Sequence, residues 1–206
     1  MYRSILPGEQ LKGLLSGGYA INKRGVGTLV MEGLNTYNGG TIINGGQIRY
    51  LGGENGSVNG PLGTGTIIMK NGSSISSTDD TNSFLPNNIE VEGNVYLWNG
   101  WTGYGKLSGN IKGSGNITYE GSSYGGLELS GDNSEYTGTF TAIRRSSRQR
   151  LFITNASAGS AKAAWFLDAN FSRDSHIESG ILACVSGICI PCTCTDDDRL
   201  VGSLIV

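Results

Sequence analysis

The sequence predicts an all-β solenoid. Three features carry that prediction: a stretch that recurs about a hundred residues later, glycine placed as punctuation, and short apolar runs that alternate. The first copy reads Gly27-Thr28-Leu29-Val30-Met31-Glu32-Gly33-Leu34-Asn35-Thr36-Tyr37-Asn38-Gly39-Gly40-Thr41-Ile42, and the second reads Gly126-Leu127-Glu128-Leu129-Ser130-Gly131-Asp132-Asn133-Ser134-Glu135-Tyr136-Thr137-Gly138-Thr139-Phe140. Gly33 aligns with Gly131 (131 − 33 = 98) and Tyr37 with Tyr136 (136 − 37 = 99), so the offset drifts by one inside the turn. Each copy is an alternating strand, a glycine, an Asn-and-Tyr turn, and Gly-Thr opening the next strand. Such self-similarity marks units that bury their apolar faces only against their neighbours.

Composition agrees. Glycine supplies 34 of 206 residues, well above the usual ~7%, without the Gly-X-Y period and proline content of collagen. Asn-Gly pairs begin at Asn38, Asn44, Asn55, Asn59, Asn71 and Asn99, and both residue types tolerate the positive φ of a tight reversal. With 37% hydrophobic residues the chain can still build a core.

The strands follow in order. Alternation places them at 28–32, 41–43, 47–51, 66–70, 88–92, 95–98, 106–107, 116–119, 127–130, 138–142, 151–154 and 164–167. In Ile89-Glu90-Val91 and Thr66-Ile67-Ile68-Met69 one face is apolar and the other solvated. Asn-Gly turns also suit an antiparallel sandwich, and periodicity alone does not separate the two. The long-range repeat favours the solenoid. It also predicts that residues 27–42 and 126–140 occupy equivalent places on different coils, with Leu29, Met31, Leu127 and Leu129 inward. Helix is nearly absent: the Ala-rich stretch 158–170 contains Ala163-Ala164-Trp165-Phe166-Leu167, which reads equally well as a buried strand.

The pattern Gly-Thr-Leu followed by Gly-x-Asn-Thr-Tyr-x-Gly-Gly-Thr-x-Ile, at residues 27–48 and more loosely at 126–141, resembles the autotransporter-associated β-strand repeat of bacterial passenger domains. With lead-ins at 15–23 and 107–117 and the intervening Pro61-Leu62-Gly63-Thr64-Gly65-Thr66, the resemblance covers roughly residues 15–170. It implies a right-handed parallel β-helix on an exported protein. It implies no chemistry, because the repeat builds a rod onto which function is grafted. The expected organisation is an N-terminal lead-in at 1–14, the solenoid at 15–170 and an irregular Cys-containing segment at 171–206. Residues 1–8 hold no apolar run of signal-peptide length, and no run approaches the ~20 residues of a membrane helix. A piece of a longer exported protein is the expectation.

The cysteines Cys184, Cys189, Cys192 and Cys194 fall within eleven residues. Cys189-x-x-Cys192 has the spacing of half a zinc site. An even count on an exported chain favours disulfides stapling a short hairpin, ahead of free or intermolecular thiols and ahead of metal. Asp196-Asp197-Asp198 lacks the spaced carboxylates of a calcium loop and reads as a solvated run. No metal or cofactor is expected.

Catalysis has little to build on. His176 is the sole histidine, and Asp174-Ser175-His176 is a local trio, whereas triads are made by geometry. Glu90 and Glu92 share a strand face in the manner of carbohydrate-cleaving acids, yet two charges on a solvated face are the ordinary reading. Tyr96, Trp98, Trp101 and Tyr104 gather around one turn, as aromatics that stack a sugar do, although rings in a narrow helix also fill cores. The basic run Arg144-Arg145-Ser146-Ser147-Arg148-Gln149-Arg150 sits in a chain of net charge −2 and lacks the broad basic face that nucleic acid requires.

The sequence therefore reads as a non-enzymatic extracellular or bacterial cell-surface β-solenoid with a structural or adhesive role. Its expected partners are copies of itself or neighbouring β-helix segments, and surface polysaccharide. Two alternatives stand beside this: a fibre or sheath subunit stacking end to end through unpaired strand edges, and a carbohydrate-binding or carbohydrate-cleaving β-helix.

Overall fold

The structure, a computed structural model, describes residues 13–52, 56–77, 82–100, 103–121, 125–143, 150–155, 157–160 and 162–166 in full, and the backbone of 10–11, 167, 176–177, 183–185 and 188–190. Three parallel sheets wrap one apolar interior. The longest orders Gln10–Leu11, Thr28–Glu32, Gly46–Leu51, Ser73–Ser77, Asn94–Asn99, Asn116–Gly121, Thr139–Ile143 and Ala164–Leu167. A second sheet, in the N-terminal half, stacks Ile21–Lys23, Thr41–Ile43, Ile67–Lys70, Ile89–Glu92 and Ile111–Gly113. A third, in the C-terminal half, stacks Ser83–Leu85, Tyr104–Leu107, Gly126–Leu129, Arg150–Ile153 and His176–Ile177. Every pairing among these strands is parallel, so the fold is the expected β-solenoid rather than a sandwich, with about six turns. Ala164–Leu167 is a strand, resolving the Ala-rich ambiguity.

Alternation dictates which residues face in. Leu29 faces Ile48, which faces Ile75, then Leu97, then Tyr119, each on the next coil, and all are buried. The N-half sheet contributes Ile43, Met69 and Val91, and the C-half sheet Leu85, Leu107, Leu129 and Ile153. Burying each such side chain stabilises by about 1.5–3 kcal/mol.

Leu29, Met31, Leu127 and Leu129 all point inward. The two copies are not equivalent in place, however: Thr28–Glu32 belongs to the eight-stranded sheet and Gly126–Leu129 to the C-half sheet, so the second copy sits one face round the coil. The reason is the coil length. Ser74 faces Tyr96 (96 − 74 = 22) and Tyr96 faces Thr118 (118 − 96 = 22), and an offset of 98 is no multiple of 22. Elsewhere the step is elastic, with Thr28 facing Gln47 (47 − 28 = 19) and Gln47 facing Ser74 (74 − 47 = 27).

The asparagines do more than turn the chain. Asn116 Nδ2 donates to Asn94 Oδ1 at 2.9 Å, the Asn94 amide to Asn71 Oδ1 at 3.0 Å, and Asn44 Nδ2 to Asn22 Oδ1 at 2.5 Å, laddering one coil onto the next. Of the glycines after Asn in the six Asn-Gly pairs, Gly56 and Gly72 take positive φ; in the Asn38 and Asn44 turns the next residue, Gly40 or Gly46, takes it instead. Gly46 shows why: its φ is +67°, and a Cβ there would lie 2.5 Å from the Gly25 carbonyl oxygen of the coil beneath. Glycine thus serves close stacking as much as chain reversal.

Candidate functional site

Outward positions of the eight-stranded sheet form rungs fixed by register. One rung is Thr28, Gln47, Ser74, Tyr96, Thr118 and Thr141; the next is Val30, Arg49, Ser76, Trp98, Glu120 and Ile143. Within them Ser74 and Ser76 are small, flanked by Gln47 and Arg49 on one coil and by Tyr96 and Trp98 on the next. The strands lie ~4.8 Å apart, so the serine strand becomes the floor of a slot whose walls stand two spacings apart.

That slot is an open cavity of about 510 Å³. Ser74 forms its floor, with Gln47 and Tyr96 facing each other across it. At one end Ser76, though outward by parity, is fully buried between Arg49 and Trp98, and its hydroxyl has no hydrogen-bond partner. At the other end Gly46 and Gly72 offer no side chain, and the slot opens toward the exposed Val26. Tyr96 is 47% exposed on an otherwise polar rung.

The four aromatics grouped in the sequence separate here. Tyr96 and Trp98 line the slot. Tyr104 lies on the C-half sheet, its ring 5.7 Å from that of Phe152 and its face covered by the Arg150 guanidinium at 5.5 Å, a self-contained packing cluster. Trp101 lies outside the described residues. Gln47, Arg49 and Ser74 are the members that sequence reading missed. The signal that finds one of them is the 22-residue step carrying Tyr96 back to Ser74; the 27-residue step from Ser74 to Gln47, and from Ser76 to Arg49, hides the other two.

Glu90 and Glu92 do lie on one strand, but each meets a lysine of an adjacent coil: Glu90 pairs with Lys112 at 3.2 Å, and Glu92 pairs with Lys70. Lys106 and Glu128 repeat the arrangement at 2.9 Å. These carboxylates are spent on coil-to-coil ion pairs. His176 extends the C-half sheet beside Phe152; Asp174, Ser175 and Asp196 to Asp198 lie outside the described residues, as do Arg144 to Gln149. Cys184 and Cys189 stand directly opposite across an antiparallel pair, Ala183–Val185 with Ile188–Ile190, while Cys192 and Cys194 lie outside the described residues. Among the described residues no three of His, Cys, Asp and Glu gather in a group able to hold a metal ion, and no helix is long and apolar enough to cross a membrane.

Lys23 is a further polar group that the sequence reading passed over. It occupies an inward position above Ile43, and its Nζ donates to the carbonyls of Arg24, Gly25 and Gly45 at 3.1, 2.8 and 3.1 Å. Burial pulls its ammonium below the usual lysine value. It ties two coils together at a corner.

Comparison with known families matches residues 21–49 to the passenger-associated-transport-repeat. The match agrees with the resemblance read at 27–48 and falls on the coils that carry Gln47 and Arg49. No curated protein and no solved structure matches the chain.

Proposed function

We propose that this chain is a segment of an autotransporter-type passenger: a non-enzymatic β-solenoid displayed at the bacterial surface, with an adhesive or structural role. One observation carries the reading: a passenger-associated repeat at 21–49 is built into a parallel solenoid whose apolar ladder runs from coil to coil. Such a rod holds its outer rungs at fixed spacing, which suits presentation of a surface. The ion-paired state of Glu90 and Glu92 supports a binding rather than a cleaving role, because neither carboxylate is placed opposite the other across a cleft.

The test is display. The chain, fused ahead of an autotransporter barrel in a bacterial host, is expected to be reached by antibody and by added protease on intact cells. Retention inside the cell with the barrel correctly inserted would overturn the surface reading. Static light scattering of the purified chain addresses self-association: concentration-dependent growth in mass supports end-to-end stacking, and a monomer at high concentration with and without reductant removes it for this chain.

A further inference from the structure

We propose that the slot over Ser74 is a glycan-binding site, in which one saccharide ring lies against Tyr96 while its hydroxyls are met by Gln47, Ser74 and Arg49. The proposal deepens the adhesive reading and rests on it for its biological setting.

Shape is the first argument. Walls two strand spacings apart stand ~9.6 Å between backbones, and the serine between them leaves the height of a side chain unfilled. A flat ring fits that gap edge-on to the floor. Gly46 and Gly72 keep one end clear, so a chain of such rings can leave the slot toward Val26.

Chemistry is the second. The slot combines a large exposed aromatic with an amide, a hydroxyl and a guanidinium. A saccharide presents an apolar C–H face to a ring and hydroxyls at its rim, and this set meets both. Arg49 carries five N–H donors in a fixed fork, enough to serve a ligand hydroxyl or carboxylate beside its existing contacts. Other occupants fit less well. The slot lies mid-sheet, where backbone donors and acceptors are already paired, so an added peptide strand finds no edge. A single cation among its lining residues on a chain of net charge −2 is no nucleic-acid face.

The third argument is rigidity. Ser76 is fully buried at an outward position, so its register neighbours Arg49 and Trp98 pack over it and against the sheet to form the back wall. Preorganised walls reduce the ordering cost of binding.

The experiment uses the purified full chain on an immobilised panel of neutral and uronic-acid oligosaccharides, followed by titration of the retained sugars with tryptophan emission as readout, since Trp98 lines the slot. Tyr96→Ala should weaken binding by about 2- to 12-fold, the range of a lost ring contact. Ser74→Leu, which fills the floor from an outward position, should abolish it. Phe166→Ala, an exposed aromatic two coils beyond Thr118 on the same sheet, should leave it unchanged. A preference for uronic acids that Arg49→Gln removes assigns Arg49 to a carboxylate, and equal retention of neutral sugars assigns it to hydroxyls. Absence of any retained sugar, or wild-type affinity in both Tyr96→Ala and Ser74→Leu with folding intact by circular dichroism, overturns the site. Loss of binding with surface display intact removes this site alone, whereas loss of display with binding intact removes the passenger reading alone.

Discussion

Alkaline pH should unfold this solenoid, because its interior holds phenols that ionise only on reaching water. Tyr37, Tyr50 and Tyr136 are fully buried, and burial pushes each phenol far above its ordinary value of 10.0. Tyr37 shares a hydrogen bond with Thr41 Oγ1 at 2.7 Å, and Tyr136 donates to the Thr139 carbonyl at 2.7 Å. In the unfolded chain the same phenols lose their protons near pH 10. Above that pH the folded state binds up to three protons that the unfolded state has released, so stability falls as pH rises. Each proton is worth about 1.4 kcal/mol per pH unit, or about 4 kcal/mol per unit for the three together. Against a total of ~5–15 kcal/mol, a fold of low to middling stability is expected to unfold within roughly one to three units above pH 10, while the buried phenols still hold their protons. Lys23 has the opposite sign. Its folded value is lowered, so the unfolded state binds the extra proton, and stability from this group rises with pH until its ordinary 10.5 is passed. Beyond that point the tyrosines act alone. Urea midpoints at about pH 9, 10 and 11, with tyrosinate absorbance recorded in parallel, make the measurement. At least three of the nine tyrosines should ionise only as the β-sheet signal is lost. Nine phenols titrating near pH 10 with the fold intact would refute the reasoning.

Further predictions concern the core, a corner and the cysteines. Leu29→Ala removes a fully buried rung beside Ile48 and should lower stability by about 2–5 kcal/mol in urea denaturation. Gly46→Ala combines positive φ with a clash against the Gly25 carbonyl and should cost more than the ~1–2 kcal/mol of left-handed strain alone, whereas Gly25→Ala, also at positive φ but in open space, should cost only that strain. Opposed strand residues have Cα atoms ~4.5–5.5 Å apart, within disulfide reach, so peptide mapping of air-oxidised protein should recover Cys184 linked to Cys189; exclusive linkage of either to Cys192 or Cys194 would contradict the pairing.

Much of the fold was legible because inward facing follows from a period of two. The strands at Thr28–Glu32, Thr41–Ile43 and Ala164–Leu167 coincide with their alternation. Ser73–Ser77 and Ser83–Leu85 escaped notice, since buried serines carry no apolar signal, and here they earn their place by being small in a narrow interior. The coil length escaped too. Its steps of 19, 27 and 22 residues blur any single period, and the conspicuous 98-residue offset relates local turns rather than positions in the coil. The aromatic cluster was half legible for the same reason: Tyr96 and Trp98 announce themselves as rings, but their partners come from strands that only register brings alongside.

The 22-residue step has a consequence for what such a chain is good for. Each coil advances the stack by one strand spacing, ~4.8 Å, so a residue here contributes about 0.2 Å of length, against ~3.3 Å in an extended strand. As a spacer the solenoid is wasteful by more than a factor of ten. What the extra residues provide is circumference: every added coil extends the outward rungs by one residue each and adds another corner where chain length can change, as it does between Gln47 and Ser74, without disturbing the pairing on either side. A lineage that lengthens this protein coil by coil therefore gains outward positions to vary far faster than it gains length.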